Sequence, residues 1–326
     1  MVLGLGLGRL FPDLNDWLDT VKIGTVSLPI ALGLLVMMYP VLAKVRYTQI
    51  GRIAADRRLM VSSLILNWLI GPALMFTLAW LLLPDQPEYR TGLIIIGLAR
   101  CIAMVLIWND LACGDREAAA VLVAVNSVFQ IVAYSVLGYF YLELLPDWLG
   151  LETAALEVSM WEIAKIVLVF LGLPLAAGFL TRWWGEGSRG IEWYETRFLP
   201  RLAPWALYGL LFTVVILFAL QGETITAQPF DVARIAVPLL AYFGLMWFVS
   251  FAVGLRLRLS YEKNTSVAFT AASNNFELAI AVAIGVFGVT SGEALAGVVG
   301  PLIEVPVLVG LVYVALWARR RFYPVV

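Results

Sequence analysis

The chain has 326 residues, of which 62% are hydrophobic and 14% are charged, with a formal net charge of −1. Soluble domains carry about 25% charged residues, so this composition excludes a soluble globular protein and indicates an integral membrane protein. Two cysteines and no histidine exclude a disulfide framework, a four-cysteine metal site and a histidine proton carrier.

Apolar stretches of the length that crosses a bilayer as a helix recur along the chain and predict nine spans. The predicted spans are 21–42, 59–83, 91–112, 118–142, 161–183, 202–220, 234–255, 264–288 and 294–317. Ahead of them, Val2–Leu10 is too short to cross at about 1.5 Å per residue. It is interpreted as the end of a tenth helix, the first in chain order, which is truncated in this chain.

Charged residues separate between the two sides of the predicted topology. If the nine spans alternate, 16 of the 22 basic residues fall on one side: Lys44, Arg46, Arg52, Arg57, Arg58, Arg116, Arg182, Arg189, Arg197, Arg201, Arg256, Arg258, Lys263, Arg319, Arg320 and Arg321. The opposite loops carry Asp13, Asp16, Asp19, Asp85, Glu88, Glu143, Asp147, Glu152, Glu157, Glu223 and Asp231. Basic loops face the cytoplasm. The sequence therefore predicts a multi-pass protein of the plasma membrane with a cytoplasmic C-terminus.

Two spans end in a polar turn that leads directly into the next long helix. The third span ends at residues 108–115 and the eighth at 285–293, and the two run in opposite directions. Inverted halves with interrupted helices are typical of secondary transporters. We therefore predict one transmembrane domain over 1–326, with 1–149 as the first inverted repeat and 161–318 as the second.

Two glutamates lie in the middle of apolar spans. Glu277 belongs to the eighth span, and Glu304 lies in the last span between Pro301 and Pro306. A carboxylate at bilayer depth is costly unless a proton, an ion or a partner neutralises it. Both acids are therefore interpreted as proton-coupling residues, with a permanently protonated acid as the alternative for Glu304.

Two adjacent asparagines, Asn274 and Asn275, precede Glu277 in the eighth span. In lipid, two neighbouring amides require hydrogen-bond partners or a bound solute. They are interpreted as an unwound segment that shares a substrate cavity with Glu277. The alternative is a polar clamp between helices.

Arg100 and Cys101 interrupt the third span. An arginine at this depth normally faces a cavity or a partner, and we expect it to favour a thiolate at Cys101, a soft ligand. The alternatives are a snorkelling arginine and a small buried thiol. In the fourth span, Asn126 and Gln130 are one turn apart on one face, which indicates either a substrate contact or a contact between helices.

Several segments around these residues resemble the arsenical-resistance efflux permeases, a branch of the bile acid/sodium symporter superfamily. The likeness rests on GLARCIAMVLIWND at 97–110, LACGD at 111–115, VNSVFQ at 125–130, AASNNFELAIA at 271–281 and GPLIEVPVLV at 300–309. It also includes MMYP at 37–40 and AKVRY at 43–47, so it extends over nearly the whole chain.

The resemblance implies an all-α integral membrane fold of ten helices in an inverted five-plus-five repeat, with crossed, discontinuous fourth and ninth helices. It implies export of arsenite in exchange for protons, with Cys101 and Glu277 as the key membrane residues. The expected partners are arsenite or antimonite, protons and the lipid bilayer. No enzyme activity, cofactor or nucleic acid is expected, and no phosphate-binding glycine loop of an ATP-driven pump occurs in the sequence.

These observations combine into a hypothesis of alternating access. Trivalent arsenic prefers thiolates, and a three-thiolate cage needs three cysteines, so Cys101 is expected to make a single-sulfur metalloid contact. The expected substrate-binding residues are Arg100, Cys101, Asn126, Asn274, Asn275 and Glu277. Glu277 and Glu304 are the expected proton carriers.

Two other functions compete with arsenite export. Midplane carboxylates and asparagines also suit a sodium-coupled symporter of an organic anion. A membrane sensor or scaffold without transport is the third class, although it gives no reason for two midplane acids.

Overall fold

The computed structural model describes residues 2–11, 22–23, 26–45, 56–151, 159–227 and 229–323. Some of the charges used to predict the topology lie outside these residues: Asp13, Asp16, Asp19, Arg46, Arg52, Glu152 and Glu157. Within the described ranges nearly every residue is helical. The predicted all-α membrane class is confirmed.

Twelve helices follow one another in the described residues. They are α1 Val2–Leu10, α2 Leu28–Ala43, α3 Arg57–Leu82, α4 Pro87–Leu98, α5 Met104–Leu111, α6 Arg116–Trp148, α7 Met160–Arg189, α8 Ile191–Gln221, α9 Pro229–Arg256, α10 Tyr261–Ala272, α11 Phe276–Phe287 and α12 Gly292–Phe322. Helical backbone continues beyond α8 to Ala227. Two short antiparallel strands, β1 Lys22–Ile23 and β2 Val26–Ser27, precede α2.

The observed helices refine the predicted spans. Among the described residues, α3, α6, α7, α8, α9 and α12 are long and apolar enough to cross a membrane. The prediction of one helix over 21–42 is wrong at its start, where the strands precede α2. That helix begins at Leu28 because Pro29 in its first turn favours a helix start. The spans predicted at 91–112 and 264–288 are each split, into α4 and α5 and into α10 and α11.

Proline accounts for the local widening of four helices. Each contains one π-helical turn: Leu66–Ile70, Phe140–Leu144, Leu168–Gly172 and Tyr194–Phe198. Each turn is followed after one residue by a proline: Pro72, Pro146, Pro174 and Pro200. Because proline lacks an N–H and its ring clashes with the carbonyl four residues earlier, the turn before it opens to a wider hydrogen-bonding pattern.

Polar side chains start the helices that follow tight turns. Asp115 accepts hydrogen bonds from two amides at the start of α6, and Ser260 and Ser291 do the same for one amide each in α10 and α12. Such caps satisfy N–H groups that have no partner within the helix. They explain why helices separated by only a few residues remain distinct.

Contacts divide the helices into two groups. In the smaller group, α8 packs on α1 and α2, and α7 packs on α2. In the larger group, α9 packs on α3, α10 and α12, while α4 lies against α3, α11 and α12. Helix α7 also contacts α6 and α11 and so joins the groups. Both split helices belong to the larger group, and their breaks meet inside it.

Candidate functional site

Each split helix leaves a short non-helical segment in the protein interior. Helix α4 ends at Leu98 and α5 begins at Met104, while α10 ends at Ala272 and α11 begins at Phe276. Helix ends expose carbonyls and amides that have no partner within the helix. In a membrane these groups must be paired inside the protein.

The two breaks pair with each other. Arg100 and Asn274 form an isolated antiparallel bridge. The amide of Asn275 donates to the Ala99 carbonyl at 3.0 Å, and the amide of Cys101 is 3.4 Å from the Ser273 carbonyl. The breaks therefore cross in opposite directions and satisfy each other's backbone, as the predicted crossed, discontinuous helices require.

Asn274 donates three hydrogen bonds that hold the crossing together. Its Nδ2 donates to the carbonyls of Ile96 at 2.7 Å and Ala99 at 3.1 Å, both at the end of α4. Its backbone amide donates to Oε1 of Glu304 at 3.0 Å. The carbonyl end of a helix carries partial negative charge. The side-chain amide of Asn274 stabilises this end of α4 by donating hydrogen bonds to its carbonyls.

Asn275 has a different role from its neighbour. Its Oδ1 accepts from the amide of Leu278 at 3.1 Å and so caps the start of α11. Its Nδ2 is buried and has no partner among the described residues. Asn274 therefore holds the end of α4, whereas Asn275 caps the start of α11.

Arg100 is fully buried at the crossing. Its backbone amide donates to Oε1 of Gln130 at 3.1 Å, and its Nη1 lies 3.0 Å from the Tyr242 hydroxyl and 3.4 Å from the Ala271 carbonyl. A Cβ at Gly71 would lie 2.8 Å from Nη1, so any larger residue there would displace the guanidinium. No carboxylate in the described ranges forms an ion pair with Arg100.

The thiol and the two midplane acids lie near one another. Cys101 and Glu304 are 3% exposed, and Glu277 is partly exposed. Cys101 and Glu304 adjoin the same break, because the Cys101 amide is 3.4 Å from the Ser273 carbonyl and Glu304 Oε1 accepts from the next amide, that of Asn274. The expectation that Arg100 favours a thiolate at Cys101 is therefore wrong, because the guanidinium is directed towards Tyr242 on α9 instead.

Several buried polar atoms at the crossing have no partner among the described residues. They are Arg100 Nε and Nη2, Gln130 Nε2, Ser273 Oγ, Asn274 Oδ1 and Asn275 Nδ2. Buried polar groups are rarely left unpaired without a reason such as a bound solute. This set offers both donors and acceptors, so it suits a small solute that carries hydroxyl groups.

Asn126 lies one turn from Gln130 but does not join the crossing. Its Oδ1 accepts from Trp68 Nε1 at 3.0 Å, and its Nδ2 is 3.4 Å from Oδ1 of Asn67 on α3. The structure therefore gives Asn126 partners between helices, and its substrate contact stays a prediction. Cys113 is exposed at the end of α5, away from the break.

Two residues at the crossing were not among the predicted site residues. The sequence pattern places Gln130 only on a polar face of its helix, whereas in the structure its Oε1 accepts from the Arg100 amide. Tyr242 is fully buried on α9, and its hydroxyl contacts the Arg100 guanidinium. A hydroxyl in the middle of an apolar span is the available signal, but nothing in the sequence ties Tyr242 to Arg100, which lies 142 residues earlier.

The sequence matches the model of one known protein family. Residues 31–228 match the Sodium Bile acid symporter family.

Three curated proteins are similar over almost the whole chain. The Arsenical-resistance protein Acr3 of Corynebacterium glutamicum is 60% identical over 324 residues, which cover 99% of this chain and 88% of that protein. The Uncharacterized transporter slr0944 of Synechocystis is 38% identical over 98% of this chain and 87% of its own length. The Arsenical-resistance protein Acr3 of Alkaliphilus metalliredigens is 32% identical, covering 99% of this chain and 90% of that protein.

Proposed function

Since this chain belongs to the Sodium Bile acid symporter family and, within it, to the arsenical-resistance permeases, we propose that it exports arsenite in exchange for protons. Membership of this family shows that the chain is a membrane transporter associated with arsenic resistance. Coupling to protons, the residues that bind the substrate and the orientation in the membrane are the proposed part.

The meeting of a thiol with two acids at the crossing of the helix breaks supports this proposal. Cys101 supplies a soft sulfur, the kind of ligand that trivalent arsenic prefers, and Glu304 lies beside the same break, where it accepts from the Asn274 amide. The unpaired atoms of Asn274 and Asn275 face the same crossing. One sulfur with oxygen and nitrogen partners binds weakly enough for a carrier, which must release its substrate.

Coupling follows if one site serves proton and substrate in turn. Neutral arsenite enters from the cytoplasm and displaces a proton from Glu277, while Glu304 holds or passes a second proton. Protons from the outside then return to the acids and release arsenite outwards. Competition for a shared carboxylate links the two flows without separate machinery.

The basic loops support an orientation in which the C-terminus is cytoplasmic. The starts of α3, α6 and α10 and the end of α12 then face the cytoplasm. The inverted repeats 1–149 and 161–318 remain part of the proposal. The antiparallel pairing of one break from each half supports them.

The sodium-coupled alternative is opposed by the position of Arg100. Its guanidinium already places a positive charge against the Ala271 carbonyl at the end of α10. A second cation beside it would be repelled at close range in a medium of low dielectric constant. The fixed charge therefore favours protons, which neutralise acids, over a bound sodium ion.

Arsenite uptake into everted vesicles tests the proposal. Wild-type vesicles with an acidic lumen should accumulate arsenite without sodium, and a protonophore should abolish the accumulation. Glu277→Gln should stop exchange against the pH gradient, while the exposed Glu192→Gln serves as the matched control. Uptake that requires sodium and ignores the protonophore would favour the organic-anion symporter class.

A second pair of variants tests the metalloid contact. Cys101→Ser should weaken arsenite transport about tenfold or more, which corresponds to about 1.4 kcal/mol of lost binding. Cys113→Ser should transport normally, because that thiol is exposed at the far end of α5. Equal transport by both variants would remove the thiol from the mechanism.

A further inference from the structure

A polar cavity separate from the helix crossing lies at the opposite end of the membrane from the basic loops. It has a volume of about 280 Å³ and lies between the start of α4, the end of α8 and the turn from α11 to α12. Its described lining includes Glu88, Tyr89, Gln221, Thr290 and Ser291. With the orientation proposed above, this cavity opens to the outside.

A buried glutamine points to a ligand in this cavity. Gln221 is 3% exposed, and its Nε2 donates to the Val289 carbonyl at 2.7 Å. Its Oε1 is buried and has no hydrogen-bond partner among the described residues. A buried acceptor without a partner is costly, so a solute that donates a hydrogen bond is favoured here.

The surrounding groups are also mainly acceptors. Glu88 Oε2 accepts from the Gly292 amide at 3.0 Å, which leaves the carboxylate at the edge of the cavity. No lysine or arginine is among the described lining residues. The cavity therefore selects ligands rich in hydrogen-bond donors.

A neutral donor fits this cavity better than a metal ion does. The start of α12 borders the cavity, and the positive end of a helix dipole disfavours a cation. No cluster of three potential metal-binding side chains occurs in the described residues.

Arsenous acid is neutral near pH 7 and carries three hydroxyl donors. Since a water molecule takes about 30 Å³ of liquid volume, a cavity of about 280 Å³ has room for arsenous acid together with some water.

We propose that this cavity is an outer site for arsenous acid, where Gln221 and Glu88 accept hydrogen bonds from its hydroxyls before release. The inference rests on the proposed function and adds a second substrate site to it. The cavity lies where the two helix groups meet, because α8 belongs to the smaller group and α4 and α12 to the larger one. The bond from Gln221 to Val289 crosses that boundary, so relative movement of the groups changes the site.

Substrate protection of an introduced thiol tests binding directly. Thr290 is exposed and lines the cavity, whereas Gln86 lies on the same side of the membrane but is not among the lining residues. Thr290→Cys and Gln86→Cys in intact cells would be labelled with a membrane-impermeant maleimide, with and without external arsenite. Cys113 lies on the opposite side and Cys101 is buried, so the background is low.

Arsenite at about ten times its half-saturating concentration should slow labelling of Thr290→Cys about tenfold, because only the empty site reacts. Direct ligation of arsenite by the introduced thiol would slow the maleimide labelling of both variants equally. The difference in slowing between Thr290→Cys and Gln86→Cys therefore reports binding in the cavity. Equal slowing, or none, would overturn the outer site. That result would leave the proposed function intact if wild-type vesicles still transport arsenite.

Counterflow in everted vesicles tests the role of Gln221. Gln221→Leu should raise the lumenal arsenite concentration for half-maximal exchange about tenfold, the equivalent of about 1.4 kcal/mol. The half-saturating concentration on the cytoplasmic side should stay unchanged.

An unchanged lumenal constant in Gln221→Leu would overturn the assignment. If that variant does not fold, the labelling of Thr290→Cys decides the question. Absence of arsenite movement by the wild type would instead defeat the proposed function itself.

Discussion

Oε1 of Glu304 accepts a hydrogen bond from the backbone amide of Asn274 at 3.0 Å. This contact joins a buried acid on α12 to the break between α10 and α11. A change in the protonation of Glu304 therefore acts directly on the segment that holds the crossing together. Under the proposed function, this bond would link proton binding at Glu304 to the geometry of the substrate site.

Glu304→Gln separates the charge from the hydrogen bond. The glutamine carbonyl can still accept from the Asn274 amide, so we expect the melting temperature in detergent to change little. Arsenite transport driven by a pH gradient should fall about tenfold or more, equivalent to about 1.4 kcal/mol. Glu304→Ala should also lose about 1–3 kcal/mol of stability, because it leaves the amide unpaired. Normal transport by Glu304→Gln would indicate an acid that is always protonated.

Tyr242→Phe removes the hydroxyl nearest the Arg100 guanidinium. Hydrogen bonds to charged groups contribute about 1.5–3 kcal/mol, so we expect the free energy of unfolding to fall by about that amount. Tyr313→Phe is the matched control, because Tyr313 is 71% exposed on α12. Denaturant titration of both variants in detergent measures the difference. Equal stability of the two would show that Arg100 does not depend on this partner.

The adjacent asparagines should respond differently to serine. Asn275→Ser keeps a good N-cap for α11 and should cost less than about 1 kcal/mol. Asn274→Ser is too short to reach the carbonyls of Ile96 and Ala99 together, and each unsatisfied buried group costs about 1–3 kcal/mol. The melting temperature should therefore drop clearly only for Asn274→Ser. A larger drop for Asn275→Ser would contradict the assigned roles.

Acid should selectively weaken the contact between the starts of α3 and α10. Asp56 accepts from Lys263 at 2.7 Å, and this hydrogen bond holds the pKa of Asp56 below its usual value of 3.8. A lowered folded pKa contributes stability above pH 3.8, and that contribution is lost as the pH falls through the folded value.

Asp56→Asn removes this charge but keeps an N-cap for α3. The wild type should therefore melt at a higher temperature than Asp56→Asn at pH 7, and the two melting temperatures should converge only as the pH falls through the folded pKa of Asp56, which lies below 3.8. Lys263→Gln should remove most of the difference at pH 7. A difference that persists in strong acid would contradict the contribution of the charge.

The positions of most helices follow from composition and end signals alone. Long apolar runs mark α3, α6 and α9, because a bilayer demands about 20 apolar residues. Cap residues such as Asp115 and Ser291 mark helix starts, because unpaired amides need a nearby acceptor. The start of α2 was mispredicted because apolar composition does not distinguish a short hairpin from a helix.

The sequence by itself also identified the costly residues, since Arg100, Glu277 and Glu304 stand out wherever apolar neighbours surround a charge. Only the tertiary structure decided what each of them contacts. Residues 100 and 274 are far apart in the chain, and their pairing depends on two helices breaking at the same depth and in opposite directions. The same packing turned the Arg100 guanidinium away from Cys101 and towards Tyr242, because side-chain direction depends on neighbouring helices rather than on adjacent residues.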